Sequence, residues 1–163
     1  MKYLITVLFV LPLFVSAQDC KLKKGTDDIT SKPTLSTGFL TFDTFTLSMD
    51  ASSKEIDFFF IVNSGPKCFD LENTNITAVF EGGKQKTEFR NSGGLNCDGI
   101  IHIIFRNLSF TQSSLTKLAT KKVITLIFTD SNGKATPVSL SPAQQQVLMD
   151  NAACIVKESK TII

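Results

Sequence analysis

The residues able to do chemistry are few. The chain holds Cys20, Cys68, Cys97 and Cys154, and a single histidine, His102. No two cysteines stand at Cys-x-x-Cys spacing and His102 is the one imidazole, so a zinc site with closed His/Cys spacing is disfavoured. An even number of cysteines in an exported chain is expected to pair as disulfides, and four allow three connectivities. His102 stands between Ile101 and Ile103. A catalytic imidazole needs a nucleophile on one ring nitrogen and an orienting carboxylate on the other, so a hydrogen-bonded structural histidine is the simpler expectation. On strand parity His102 shares a face with Ile100, Ile104 and Arg106.

Other chemistries lack their residues. No serine lies in a Gly-x-Ser-x-Gly elbow, and neither a P-loop nor a Gly-x-Gly-x-x-Gly turn occurs. Asp27-Asp28 fall in a polar stretch with no walls to shift a pKa, and Asp70 and Glu72 follow Cys68 without singling out a glycosidase pair. Asp130-Ser131-Asn132-Gly133 alternates oxygen ligands but lacks the later bidentate Glu of a calcium loop, and a hairpin turn explains it. Asn75-Ile76-Thr77 and Asn107-Leu108-Ser109 match the N-glycosylation acceptor, which matters only in a eukaryotic secretory pathway. No catalytic set, cofactor site or metal site is expected.

The elements that must position these residues follow from patterning. Residues 1–17, MKYLITVLFVLPLFVSA, carry an early Lys2, an apolar run and a small-residue ending at Ser16-Ala17. They read as a secretory signal cleaved before Gln18. A membrane anchor and a lipidated Cys20 are the rival readings; the run is short for a span, and Gln18-Asp19 are not the small residues a lipidated cysteine needs. Residues 18–36 are polar without period and read as an irregular arm. Residues 37–163 then read as one β-rich domain. Leu40 and Phe42 alternate on one parity and Phe45, Leu47 and Met49 on the other, which predicts a bulge or corner near Asp43-Thr44. Residues 56–62 (IDFFFIV) and 100–108 are apolar on both parities, which predicts central strands covered on both faces. Residues 76–81 and 84–90 flank Gly82-Gly83 as a hairpin, the second charged enough for an edge. A short helix fits 111–120. Strands fit 123–128 and 136–140, the latter on an edge because Pro137 lacks a donor. Ser141, Pro142 and Gln144 make a capping box that opens a helix over 141–157, with Val147, Leu148, Asn151, Ala152, Cys154 and Ile155 on one face. The fold class is mainly β (α+β): an antiparallel sheet or β-sandwich of about seven or eight strands with a C-terminal helix packed on it.

In a single-sheet meander the strands at 56–62, 76–81 and 84–90 run up, down and up. The loops holding Cys68 and Cys97 then share one end. That predicts Cys68–Cys97 and leaves Cys20–Cys154; the alternative is Cys154 as an inert core thiol.

Composition narrows the function. The 163 residues carry 17 Lys+Arg against 15 Asp+Glu, and loss of Lys2 brings the net charge from +2 to +1. Without a basic cluster the chain is not expected to bind nucleic acid. No later apolar stretch reaches the roughly 20 residues of a membrane span. The one Tyr is Tyr3, and there is no Trp, so the 14 Phe dominate the aromatic content. Stacking on sugars is disfavoured. The expected function is a non-enzymatic exported domain, secreted, periplasmic or on the cell surface, with a binding or structural role toward an unknown protein partner. A carrier of an apolar small molecule in a Phe-lined cavity and a hydrolase using His102 are the alternatives. Loops at 69–73 and 92–98, beside Cys68 and Cys97, are the expected contact surface, because bridged loops present side chains at low entropy cost.

Overall fold

The computed structural model describes residues 20–65 and 67–163; the expected signal, Gln18 and Pro66 lie outside them. Its strands in chain order are β1 (Lys23–Thr26), β2 (Pro33–Ser36), β3 (Leu40–Thr41), β4 (Phe45–Ala51), β5 (Glu55–Val62), β6 (Asn75–Phe80), β7 (Lys86–Arg90), β8 (Ile100–Arg106), β9 (Val123–Thr129) and β10 (Ala135–Ser139). They form two antiparallel sheets. The first runs β1-β2-β4-β5-β8, with β3 also paired to β4; the second runs β10-β9-β6-β7.

Period-two alternation decides what lies between them. Ile56, Phe58, Phe60 and Val62 point inward from β5, and Phe45, Leu47, Met49 and Ala51 do so from β4. They meet Ile76, Ala78 and Phe80 of β6 and Leu126 and Phe128 of β9 in one buried cluster. Phe45, Phe60 and Phe128 converge from the two sheets with ring centroids 5.5–6.0 Å apart. Phe105 touches both Phe58 and Phe89, tying β8 to β7. Burying such a side chain stabilises the fold by roughly 1.5–3 kcal/mol. The rings fill the core: the apolar space lined by Phe58, Phe89, Phe105 and Leu148 measures only about 10 Å³. A small-molecule pocket is about 300 Å³ or more, so this space between the sheets does not hold such a ligand in this conformation.

Helices α1 (Ser113–Thr120) and α2 (Pro142–Glu158) pack on each other, and α2 also touches β2, β4 and β9. Ser141 and Gln144 cap α2 reciprocally, with Pro142 in its first turn. Leu148, Ala152, Cys154 and Ile155 form its buried face, while Val147, expected on that face, is exposed. Asn107 leaves β8 at this end; its side-chain amide donates to Ser52 O (2.8 Å) and Ser159 O (3.0 Å). Cys20, ahead of β1, and Cys154, within α2, are joined as a disulfide.

Several expectations are corrected. The irregular arm expected over 18–36 holds a hairpin instead: β1 and β2 pair, with the buried Leu35 anchored opposite Ala51, while residues 18 and 19 lie outside the described residues. The parity change near Asp43-Thr44 is a reversal: Leu40 faces Leu47 and Thr41 faces Thr46 across a tight β3–β4 connection. The chain from β5 to β7 is no single-sheet meander, because β5 lies in the first sheet and β6 and β7 in the second. Strand β8 is an edge strand, not a central one. Apolar residues on both parities of β5 and β8 do not mean two covered faces: Phe59, Ile61, Ile100 and His102 are only half-buried.

Candidate functional site

Two places combine unusual residues with defined geometry. The first is the end of the sandwich where the chain crosses between sheets. Residues 63–74 carry it from β5 to β6, and residues 91–99 return it from β7 to β8. Cys68 and Cys97 join these crossings as a disulfide. Phe69 and Asn96 exchange both backbone hydrogen bonds, at 2.8 and 2.9 Å. Phe69 is fully buried and plugs the end of the core. The buried Asn91 donates its amide to Asp70 O (2.8 Å) and Gly93 O (3.1 Å), and Asn96 uses its side chain to pair both backbone groups of Ile100. Asp70 accepts from the backbone N–H of Asn73 at 2.7 Å, and that bond first of all holds its carboxyl below the ordinary range. Gly99 admits no side chain, since a Cβ would stand 2.6 Å from Val62 O. From this network Leu71 and Leu95 project with 59% and 75% of their surface exposed.

The second place is the outer face of the first sheet. Gly38, at a φ of 66°, turns Phe39 over that face, where its ring meets Phe59 edge-on at 6.5 Å. Phe59 meets the His102 ring edge-on at 4.5 Å. Phe59 and His102 face each other across β5 and β8. Ser92 N donates to His102 O (2.8 Å) and His102 N to Asn91 Oδ1 (3.0 Å), so neighbouring bonds run outward and this is a close, non-hydrogen-bonded pair. His102 Nδ1 lies 3.2 Å from Asp57 Oδ2. Asp57 Oδ1 is buried without a hydrogen-bond partner among the described residues. Burial chiefly pushes the Asp57 carboxyl up; nearby His102 opposes this, and Asp50 and Glu55 add to it. Asp50 faces Asp57 in register and accepts from Ser48 Oγ at 2.7 Å. Beside them a groove of about 310 Å³ is lined by Thr34, Ser36, Asp50, Ser52, Glu55 and Asp57.

The four cysteines thus sit in two separate bridges, one tying the segment before β1 to α2 and one tying the crossings, and His102 sits half-buried on the outer face beside a carboxylate. Among the described residues no hydroxyl or thiol hydrogen-bonds the other nitrogen of His102, and no group of acidic, histidine and cysteine side chains is arranged to hold a metal. Asp130 is a turn residue: its carboxylate accepts from the backbone N–H groups of Asn132 and Lys134, both at 2.9 Å. Sequence reasoning missed Asp57 as the partner of His102, although its charge inside IDFFFIV was a visible irregularity. No protein-family model, curated protein or solved structure matches the chain.

Proposed function

We propose that the protein is exported and acts outside the cytoplasm as a non-enzymatic binding domain, with its contact surface on the stapled crossings. Two disulfides and the lack, among the described residues, of a helix long and apolar enough to cross a membrane fit an extracellular domain. The observation that carries the binding role is the pair Leu71 and Leu95. Exposed leucines on loops held by a disulfide, a backbone bridge and three asparagine or aspartate side chains lose little entropy when a partner covers them. Phe69, Asp70, Asn91 and Asn96 build the platform. Leu71, Glu72, Asn73, Leu95 and Asp98 face outward as its contact residues.

Native mass spectrometry tests the exported state. The expected mass begins at Gln18, lacks four hydrogens and carries no adduct; an acylated Cys20 or a free thiol contradicts it. A photo-crosslinking residue placed at Leu71 or Leu95 in the producing cells tests the surface. Discrete heavier products are expected from both positions and not from Thr125, on the outer face of the second sheet. Products from Thr125 alone, or from none of the three, refute the assignment.

A further inference from the structure

The outer face of the first sheet carries an aromatic row that no helix or strand among the described residues covers. It runs from Phe39 across Phe59 to His102. Phe39 is 65% exposed and Ile104, on the next rung of β8, is 43% exposed. Beside the row, Asp50, Asp57 and Glu55 line one groove that holds no cationic side chain. The cations nearby stand outside that groove: Arg106 is opposite Glu55 in register, Lys23 lies against Gly38, and Lys32 and Lys54 line the adjoining groove that shares Ser52 and Glu55. The Asp57 oxygen that does not meet His102 has no partner among the described residues. Such a surface is complementary to one kind of occupant. Its carboxylates call for a cation, and its rings call for an apolar neighbour two residues along an extended chain, where side chains return to the same face.

We propose that this face receives a segment of another protein in which Lys or Arg alternates with apolar side chains, the cation entering the groove at Asp50, Glu55 and Asp57 and the apolar residue lying on Phe39 and Phe59. Its contact residues, Phe39, Asp50, Glu55, Asp57 and Phe59, are none of those on the stapled crossings, and the proposal does not depend on Leu71 and Leu95.

The test is a titration of the isotope-labelled, disulfide-intact protein at neutral pH with three synthetic hexapeptides: alternating Lys-Phe, alternating Glu-Phe and alternating Lys-Ser. The Lys-Phe peptide is expected to shift the amide resonances of residues 48–59 and 102–106 saturably, and the other two to bind at least tenfold more weakly. In the triple variant Asp50→Asn, Glu55→Gln, Asp57→Asn, Lys-Phe affinity should fall at least tenfold. Phe39→Ser, which alters one exposed side chain, should weaken it several-fold with the spectrum otherwise preserved. Equal binding of the Glu-Phe peptide, unchanged affinity in both variants, or shifts confined to residues 69–73 and 92–98 would overturn the proposal. The last result would leave the stapled crossings standing as the contact surface, and loss of crosslinking there would leave this face untouched.

Discussion

The two sheets share an interior and differ outside. Across the second sheet the outward rows read Ala135, Thr129, Asn75, Arg90; then Pro137, Ile127, Thr77, Glu88; then Ser139, Thr125, Val79, Lys86. Threonines and a charged edge make that face compatible with water on its own. Across the first sheet the corresponding rows read Thr46, Ile61, Ile100; then Ser48, Phe59, His102; then Asp50, Asp57, Ile104. Stability asks for only one apolar face per sheet. The second sheet meets that demand and stops there. The first spends large apolar side chains and a partly desolvated carboxylate where the core gains nothing, which is the pattern of a surface kept for contact.

The comparison can be broken most severely where the sheets are one. Phe128→Ala removes a ring that touches both Phe45 and Phe60. It should cost about 3–5 kcal/mol in urea unfolding, with hydrogen exchange rising in β5 and β6 together. Faster exchange in one sheet alone would mean the sheets fold separately. Replacing Cys68 and Cys97 together by Ala opens a loop between residues 29 apart. A loss of roughly 3–4 kcal/mol is expected, and residues 91–99 should lose protection before β6 or β9.

A smaller effect isolates the first sheet's charge. Burial raises the Asp57 carboxyl above its ordinary 3.8, so the folded state holds that proton more tightly than the unfolded chain. Stability from this group is therefore present at low pH and lost as pH rises from 3.8 to the raised folded value. Asp57→Asn should flatten that fall and leave the folded protein modestly more stable at neutral pH. Urea midpoints measured across acid to neutral pH check it, and an unchanged slope would place the buried charge elsewhere. The smallest effect separates the outer faces directly. Phe39→Ser and Thr129→Ser should each change stability by less than about 0.5 kcal/mol. Phe39→Ser should lower retention on a hydrophobic column, and Thr129→Ser should not.

Local chemistry was legible in the sequence. The α2 capping box, the edge position of Pro137 and the charged β7 edge depend on a few adjacent residues, and each lies where its own rule puts it. What sequence could not give was which sheet a strand joins. Nothing in IDFFFIV separates a strand between two layers from one whose outer face is apolar for another reason, because parity counts apolar residues and not what covers them. Strand β8 misleads in the same way. Its edge is closed by Asn91, Ser92 and Asn96, polar loop residues whose hydrogen bonds to β8 at residues 100 and 102 have no signature in the strand itself. The hairpin at 23–36 escaped notice because β1 is exposed at all four positions and so shows no alternation.

The two bridges are nested: the link between residues 20 and 154 encloses the link between 68 and 97. Covalently, the span between the outer cysteines is a ring with a smaller ring inside it. One peptide-bond cut anywhere in that span leaves a single molecule of almost unchanged mass. A protease that nicks an exposed turn such as Gly82-Gly83 therefore releases no fragment until a reductant is present. Surviving intact on a non-reducing gel would report the bridges and say nothing about whether the backbone had been cut.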